Sequence, residues 1–304
     1  MIGACPVCSG TDFQNAYRYS RHNVVRCRGC GLHFVNPQLD DAALQSLYEQ
    51  EYNYAYFLQR KKSICQLARS RIGFIERMVP PGRLLDIGCM HGFFLDVARA
   101  RGWMVTGVER CVPAASYARD QLALDVREGT FEQLTLSAHS YDVVTLWHVF
   151  EHVRDPHAVI RRIKALLKPG GLLVMAVPNI RSISCRLQGG KWPWLAMPEH
   201  LFHYDAHTLP ALLAREGVPC FCVKTVSGDS EGLLCAGIGG AIKNRMPSVQ
   251  TFSVRCKRFV RPVRRFVAGA VRLLKLVFTP INGVVCQMGY GPELLVVARN
   301  ESDA

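Results

Sequence analysis

One stretch of the sequence decides the fold: Leu84-Leu85-Asp86-Ile87-Gly88-Cys89-Met90-His91-Gly92-Phe93-Phe94. Its first four residues predict an apolar strand, its two glycines predict a turn, and its last residues begin a predicted helix. Glycines at such a turn let a ligand approach the backbone, and the amino terminus of a helix offers N–H groups. Glu109 ends the next predicted strand, where a carboxylate can accept hydrogen bonds from a ribose diol. The stretch therefore predicts a nucleotide-like ligand at a strand–turn–helix junction.

The alternation of apolar runs and helical patterns continues from Arg83 towards the end of the chain. The apolar runs predict strands over 84–87, 105–108, 122–126, 143–147, 172–177, 220–225 and 294–298. Helical patterns lie near 93–100, 113–121, 156–167 and 209–215. Strands that alternate with helices of this length imply βαβ units, so we predict an α/β fold with a mainly parallel sheet.

The glycine turn alone leaves two ligands open, a nicotinamide dinucleotide and S-adenosylmethionine (SAM), and two later segments favour SAM. The segment Tyr141-Asp142-Val143-Val144-Thr145-Leu146-Trp147-His148-Val149-Phe150-Glu151-His152 resembles the fourth-strand motif of class I SAM-dependent methyltransferases of types 11 and 23. Leu167-Lys168-Pro169-Gly170-Gly171-Leu172 resembles the turn into the fifth strand of that family. The resemblance implies a Rossmann-like sheet of seven strands, the last one antiparallel, with SAM as the cofactor.

The resemblance also implies a set of cofactor-binding residues: Asp86, Gly88, Gly92, Glu109, Thr130, Phe131 and Trp147. Asp86, Gly88 and Gly92 surround the methionine and ribose parts of SAM, and Glu109 binds the ribose hydroxyls. Thr130 and Phe131 fall where the adenine is held, and Trp147 falls beside the sulfonium. The family pattern has glycine where this chain has Met90, which leaves a non-catalytic protein of the same fold as one alternative.

Five polar residues that follow the fourth and fifth strands are candidates for the chemistry: His148, Glu151, His152, His200 and His203. Histidine is the natural base near neutral pH, and one of these rings could take the proton of the methyl acceptor. His148-x-x-Glu151-His152 also resembles the Glu-x-x-Glu-His set that binds a divalent ion in ubiquinone-biosynthesis O-methyltransferases and small-RNA 2′-O-methyltransferases. Here a histidine replaces the first glutamate, which favours softer ions than Mg²⁺. The third interpretation is structural, with these side chains capping or pairing within the loop.

The first 38 residues are predicted to form a separate zinc ribbon. Cys5-Pro6-Val7-Cys8 and Cys27-Arg28-Gly29-Cys30 are two Cys-x-x-Cys knuckles, and four thiolates suit a closed, structural Zn²⁺ site. A ribbon followed by Phe34-Val35-Asn36-Pro37 resembles bacterial methyltransferases of surface-polysaccharide or lipid-linked pathways. Residues 39–78 read as a helical linker or lid, and residues 79–304 as the methyltransferase domain.

The positive charge of the chain is concentrated in one segment. Of the formal net charge of +13, ten lysines and arginines lie between Leu233 and Pro292, where there is no acidic residue. Within this insertion, 236–290, the residues from Arg255 to Phe278 predict a helix with one basic and one apolar face, which is typical of helices at anionic membrane surfaces. Packing on the domain or at a dimer interface is the second interpretation, and contact with nucleic acid is the third.

These observations together define the expected function and location. The start of the chain lacks the pattern of a secretory signal, and thirteen cysteines without one favour reduced thiols, so we expect a cytoplasmic enzyme, peripheral at the inner membrane surface. We expect methyl transfer from SAM, to an oxygen of a small-molecule, glycan or lipid-linked acceptor. An RNA methyltransferase is the alternative within the same fold, although no amino-methylation motif of the Asn/Asp-Pro-Pro-Tyr kind is present.

Overall fold

A computed structural model describes residues 1–19, 22–40, 43–44, 54–227 and 282–301 of the 304 residues. The strands are β1 (Phe13–Tyr19), β2 (His22–Cys27), β3 (His33–Val35), β4 (Arg83–Ile87), β5 (Met104–Glu109), β6 (Asp125–Glu128), β7 (Tyr141–Trp147), β8 (Leu167–Pro178), β9 (Phe202–His203), β10 (Cys220–Val226) and β11 (Glu293–Arg299). The α-helices are α1 (Tyr54–Gln59), α2 (Lys61–Ile75), α3 (Phe93–Arg99), α4 (Val112–Leu122), α5 (Pro156–Leu166), α6 (Ile183–Gln188) and α7 (Thr208–Arg215).

The centre of the molecule is a seven-stranded sheet in the order β10-β11-β8-β7-β4-β5-β6. The neighbours β8, β7, β4, β5 and β6 are parallel, whereas β11 is antiparallel to both β8 and β10. The sheet confirms the predicted α/β fold with seven strands and an antiparallel last strand. Parallel strands need long crossovers, which the helices between them supply.

Helices cover both faces of this sheet, so its central strands are apolar on both sides. On one face α2, α3 and α4 bury Ile72, Leu95 and Ala118 among other apolar residues. On the other face α5 and α7 bury Ile160 and Leu212 in a second core. The Asp155 carboxylate caps α5 by accepting a hydrogen bond from the Ala158 amide at 2.9 Å, and Pro156 follows at the first helical position.

The third predicted strand begins later than the sequence indicated. Residues 122–126 were predicted to form it, but α4 continues through Leu122 and ends at Ala123, which has a left-handed backbone with φ of 49°. The strand starts at Asp125. The apolar residues Leu122 and Leu124 pack at the end of the helix and in the turn, so their apolar pattern indicated burial and not strand geometry.

The ribbon forms a second sheet that includes a strand from the main domain. Its order is β1-β2-β3-β9, and all neighbours in it are antiparallel. β9 comes from the segment after β8, far along the chain from the ribbon. The ribbon therefore packs as part of the molecule's larger core, which contains Cys27 and Phe34 together with Phe150 and Tyr204.

The predicted linker and insertion are described only in part. Within 39–78 the structure contains α1 and α2, and α1 brings the Phe57 ring to 6.1 Å from the ring of His91 in the glycine turn. Most of the basic insertion, including the helix predicted from Arg255 to Phe278, lies outside the described residues. Among the described residues no helix is long and apolar enough to cross a membrane.

The described residues on either side of 228–281 lie at the carboxyl edge of the sheet. Since β10 runs parallel to β8, its last residue, Val226, lies at the carboxyl edge, where Glu293 begins β11. The Thr225 hydroxyl joins the two ends by donating to the Cys286 carbonyl at 2.6 Å and accepting from the Gly291 amide at 3.0 Å. The strands that flank the basic insertion in the chain, β10 and β11, thus end and begin beside the edge at which open α/β sheets bind ligands.

Candidate active site

The glycine turn between β4 and α3 has the backbone that its sequence predicts. Gly88 has a φ of 72°, and a Cβ there would lie 2.4 Å from a methyl group of Val149. Gly92 has a φ of 74°, and a Cβ there would lie 2.5 Å from Leu124. Both positions therefore require glycine for backbone conformation and for space.

Met90 adopts the same left-handed conformation, with φ of 51°. This φ explains why glycine is the usual residue here, since a side chain in this region costs on the order of 1–2 kcal/mol. The Met90 amide donates to the Glu109 carboxylate at 2.8 Å, which holds the strained turn in place.

Glu109 lies at the end of β5, directly beside the turn. Its two carboxylate oxygens accept hydrogen bonds from the Met90 amide and, at 2.7 Å, from the Cys111 amide. Burial raises the pKa of Glu109. Each oxygen has a second acceptor site, so the carboxylate can hold the turn and still receive ribose hydroxyls.

Asp86 lies one strand closer to the centre of the sheet, at the end of β4. Its side chain is buried and accepts a hydrogen bond from the Thr145 hydroxyl at 2.6 Å. Burial raises the pKa of Asp86 to about 7, against the opposing effect of that hydrogen bond.

The residues expected near the adenine lie after β6 and differ in their surroundings. Thr130 is half-buried, and its carbonyl accepts a hydrogen bond from the Gln133 amide at 3.0 Å. Phe131 is buried in the core, with the Arg162 guanidinium 5.0 Å from its ring centre.

Trp147 ends β7 and faces α2. Its ring lies 5.2 Å from that of Phe94, edge to face, and the Arg71 guanidinium lies 4.2 Å from the indole centre. Trp147 is therefore held by Phe94 and by Arg71 of α2, a helix within the predicted linker or lid.

His148, with a left-handed φ of 57°, is held between two buried glutamates. Its Nδ1 lies 3.5 Å from Glu151 Oε1, and its Nε2 lies 3.4 Å from Glu293 Oε1. Burial alone would lower the pKa of His148, but the charges of Glu293 and Glu151 outweigh it and raise the pKa to about 10. His148 is therefore an imidazolium at neutral pH.

Sequence reasoning missed two members of this ion-pair chain. Glu293 is buried at the start of β11, and its carboxylate also pairs with Arg71 at 2.9 Å. Burial would raise the pKa of Glu293, but His148 and Arg71 lower it to about 2. A charged residue opening an apolar strand was the one available signal for Glu293, and none pointed to Arg71.

Glu151, His152 and His200 come together, each offering one ligand atom within 4.8 Å of the others. His152 Nδ1 lies 3.0 Å from the Glu199 carbonyl, and His200 Nδ1 lies 2.8 Å from the Trp194 carbonyl. Burial lowers the pKa of both imidazoles, so both are neutral at neutral pH. His203 is not one of this trio of ligand atoms; it lies on β9 opposite His33 of the ribbon, with its ring centre 6.3 Å from that of His200.

The four predicted zinc ligands also converge, within the ribbon. Cys5, Cys8, Cys27 and Cys30 place their sulfur atoms within 4.8 Å of one another. The Cys5–Cys30 and Cys8–Cys27 sulfur pairs are each 3.5 Å apart. Four thiolates around Zn²⁺ at about 2.3 Å lie roughly 3.8 Å from one another, so the geometry fits a tetrahedral site.

Comparisons with known proteins identify the family of this chain. A family model described as a methyltransferase domain matches residues 55–219. A ubiquinone biosynthesis O-methyltransferase of Histophilus somni is 30% identical over 167 residues, which cover 50% of this chain and 70% of the relative. A second protein of that name, from Cereibacter sphaeroides, is 36% identical over 127 residues, which cover 39% of this chain and about half of the relative (51%).

Solved structures show the same fold at low identity. Phosphoethanolamine N-methyltransferase 2 of Haemonchus contortus, in complex with SAM, superposes with a TM-score of 0.54 at 13% identity, over 89% of this chain and 62% of that one. A SAM-dependent methyltransferase of Thermotoga maritima has a TM-score of 0.51 at 16% identity, over 84% of this chain and 99% of that one. The chain therefore belongs to the methyltransferase domain family and is a class I SAM-dependent methyltransferase.

Proposed function

We propose that this enzyme transfers the methyl group of SAM to an oxygen atom of a small-molecule, glycan or lipid-linked acceptor. The observation that carries the proposal is the pair of neutral imidazoles, His152 and His200, whose ring centres lie 4.6 Å apart. The relatives named as O-methyltransferases support oxygen as the accepting atom.

The tautomer of each imidazole follows from its partner. A carbonyl oxygen only accepts hydrogen bonds, so Nδ1 of His152 and of His200 must donate. In a neutral ring the proton is then on Nδ1, and Nε2 carries a lone pair. Either Nε2 can take the proton that a hydroxyl acceptor loses as it is methylated.

The other histidines are less suited to this role. His148 is already protonated, because Glu293 and Glu151 hold its charge, so it cannot accept a proton near pH 7. We assign it instead to fixing Glu151 beside the two neutral rings. His203 belongs to the strand that pairs with the ribbon, which assigns it a structural role.

A divalent ion at this place is the alternative use of the same residues. The sequence pattern suggested His148, Glu151 and His152 as ligands, whereas the geometry favours Glu151, His152 and His200. Glu151 Oε1 lies 3.5 Å from His148 Nδ1, and Glu151 Oε2 is buried without a hydrogen-bond partner among the described residues, which fits an oxygen that receives an ion. One carboxylate and two imidazoles suit an ion such as Zn²⁺ or Mn²⁺, which would lower the pKa of an acceptor hydroxyl.

The cofactor residues are proposed as the resemblance implied. Asp86, Gly88, Gly92 and Glu109 would hold the methionine and ribose parts of SAM, Thr130 and Phe131 the adenine, and Trp147 would lie beside the sulfonium. Bound SAM supplies an activated methyl group. Three features support this assignment: the glycine turn, in which Gly88 and Gly92 have left-handed backbones without side chains; the acceptor sites of Glu109; and the common edge of the sheet on which these residues lie.

Two further proposals concern the surroundings of the site. We assign a structural Zn²⁺ to Cys5, Cys8, Cys27 and Cys30, supported by their converging sulfur atoms. We assign the basic insertion to contact with anionic membrane, supported by its charge and by the position of the flanking residues Val226 and Glu293 at the carboxyl edge. A membrane contact there would bring a lipid-linked acceptor to the histidines.

The proposal is tested by a transfer assay with labelled SAM against membrane lipid extracts, glycan precursors and RNA in parallel. We expect label in a lipid or glycan fraction, and at least about a hundredfold less of it with His200→Ala. His139→Ala, which changes an exposed histidine, is the matched control and should leave transfer unchanged. Label in RNA alone would replace this proposal with the nucleic-acid alternative, and SAM binding without any transfer would favour a non-catalytic protein.

A further inference from the structure

The ribbon is bonded directly to the segment that carries the acceptor-side histidines. The Val35 amide at the end of β3 donates to the Leu201 carbonyl at 2.9 Å. The Leu201 amide in turn donates to the Glu151 carbonyl at 2.8 Å. Leu201 therefore links the ribbon to the 3₁₀ turn (Phe150–His152) through hydrogen bonds at both of its backbone groups. It also follows His200 directly in the chain.

A row of aromatic side chains makes the same connection through the core. Phe13 meets Phe34 edge to face at 5.1 Å, and Phe34 lies 6.2 Å from Phe202. Tyr204 lies 6.1 Å from Phe202 and 5.5 Å from Phe150, the residue before Glu151. Close packing transmits a displacement at one end of such a row to the other, because no free volume absorbs it.

The orientation of both neutral imidazoles depends on the segment that β3 holds. His152 Nδ1 and His200 Nδ1 take their backbone partners, Glu199 and Trp194, from the residues just before β9. In the described part of the chain, β9 pairs with no strand except β3. Without β3, the segment would keep its bonds to Glu151 and, through Tyr204, to Ile180, but it would lose its strand pairing on the side of the ribbon.

The second zinc knuckle sets the position of β3. The Gly31 amide donates to the Cys27 carbonyl at 2.9 Å, and the Cys27 amide donates to the Leu32 carbonyl at 2.8 Å. Arg215 of α7 holds the first knuckle by donating to the Val7 carbonyl at 3.2 Å and to the Ser9 hydroxyl at 3.0 Å. A metal joining the two knuckles would fix β3 relative to the main domain.

We infer that the ribbon is a positioning element of the acceptor site: the metal held by its four cysteines fixes β3, and β3 sets the orientation of His152 and His200 through Leu201 and the aromatic row. This inference rests on the proposed zinc site and on the proposed role of the two histidines. Within the described part of the chain, the residues proposed to bind SAM take part in none of the hydrogen bonds that join the ribbon to β9, so the ribbon acts on the acceptor half and not on the cofactor half.

Hydrogen exchange of the full-length protein tests the inference with readouts that need no methyl acceptor. The Val35 amide reports the contact between ribbon and β9, and the Leu201 amide reports the contact between β9 and the histidine turn. With Cys8→Ser/Cys30→Ser, which removes ribbon ligands, and separately with Phe34→Ala, we expect both amides to exchange about tenfold faster or more. The dissociation constant of SAM, measured by calorimetry, should change less than about twofold.

Two control variants make the result specific. Arg28→Ala changes an exposed residue of the second knuckle and should alter neither readout. Phe34→Leu keeps an apolar side chain in the row and should restore most of the protection. Once the acceptor is known, the Phe34→Ala enzyme should show a reduced kcat or a raised KM for the acceptor, with the KM for SAM unchanged.

Several outcomes would overturn the inference. Unchanged exchange of Leu201 in both variants would show that the ribbon does not hold the segment. A loss of SAM affinity in step with the loss of Leu201 protection would show a general contribution to stability instead. Faster exchange of Leu201 in Phe34→Ala but not in the cysteine variant would show that the metal does not hold the segment. Wild-type protein that contains no zinc would show that the proposed metal site, and not the strand contact, had failed.

Discussion

At the scale of single residues, the Glu109 carboxylate accepts hydrogen bonds from the backbone and is also proposed to bind the ribose of SAM. It holds the strained Met90 turn through one oxygen and the start of the next helix through the other. Its remaining acceptor sites are those proposed for the ribose hydroxyls.

Glu109→Ala should therefore weaken SAM binding by at least about tenfold, because two or more hydrogen bonds to a charged acceptor are lost. Calorimetry with SAM measures the effect, and the circular dichroism spectrum should show that the fold persists. Glu109→Gln, which keeps one acceptor oxygen, should fall between the two proteins. An affinity equal to that of the wild type would remove Glu109 from the cofactor site.

Asp86 makes the free energy of unfolding depend on pH, and the sign of this dependence follows from the burial of its carboxyl group. Its pKa in the folded protein is raised from 3.8 to about 7, so the folded state holds a proton that the unfolded state has lost between these values. The stabilisation from this group is fully present below about pH 4, is lost as the pH rises through about 7, and does not change further above it.

The prediction is a difference between wild type and Asp86→Asn, which cannot titrate. The free energy of unfolding of the wild type, relative to the variant, should fall from about pH 4 to about pH 7 and then stay level. Urea titrations without SAM at several pH values measure it. Asp120→Asn, on the exposed side of α4, controls for general charge effects. A difference independent of pH would show that Asp86 ionises normally in the folded protein.

How well single residues could be predicted depended on how local their signal was. Gly88 and Gly92 were identifiable because a turn between a strand and a helix needs their backbone conformation. The four cysteines were identifiable by spacing. Arg71 and Glu293, 222 residues apart in the chain, meet only in the folded molecule, so no local pattern could join them.

At the scale of elements, the ribbon gives a prediction that needs only metal analysis. Purified protein should contain one Zn²⁺ in the ribbon, because four converging thiolates leave no open coordination position and bind this ion tightly. Cys5→Ser/Cys27→Ser should lose one zinc per chain relative to Cys65→Ser, which changes a cysteine of α2. Equal zinc in the two variants would exclude the ribbon as the site.

The elements of the sheet were predictable from apolar runs because buried parallel strands are apolar on both faces. The strand β9 was not predictable in this way. It has two residues, and its partner, β3, comes from the other end of the sequence. The sequence predicted a zinc ribbon over residues 1–38 but carried no signal that a strand of the main domain would join its sheet.

At the scale of the whole molecule, charge and topology together predict where the protein docks. Ten basic residues lie in the insertion, and the strands that flank it in the chain, β10 and β11, end and begin at the carboxyl edge of the sheet. Each lysine or arginine near an anionic membrane contributes about 1 kcal/mol, so several together give a stable but salt-sensitive contact. The rest of the chain, with a net charge of +3 (13 − 10), would contribute little.

Vesicle flotation measures this contact. The full chain should float with anionic vesicles at low salt, less at high salt, and not with neutral vesicles. A variant without residues 250–280 should stay at the bottom of the gradient while it still binds SAM. Equal flotation of the two proteins, or none of either, would favour a helix packed on the domain.

The pairing of β3 with β9 also constrains the order in which the protein can be completed during its synthesis. The paired residues His33 and His203 are 170 positions apart (203 − 33). At translation rates of about 5–20 residues per second, β9 is made roughly 10–30 seconds after β3. During that interval the outer edge of β3 has no partner from β9, and an open strand edge is a site of aggregation. The two knuckles can close on a metal ion before β9 exists, so the metal that later orders the finished site would first protect the nascent chain.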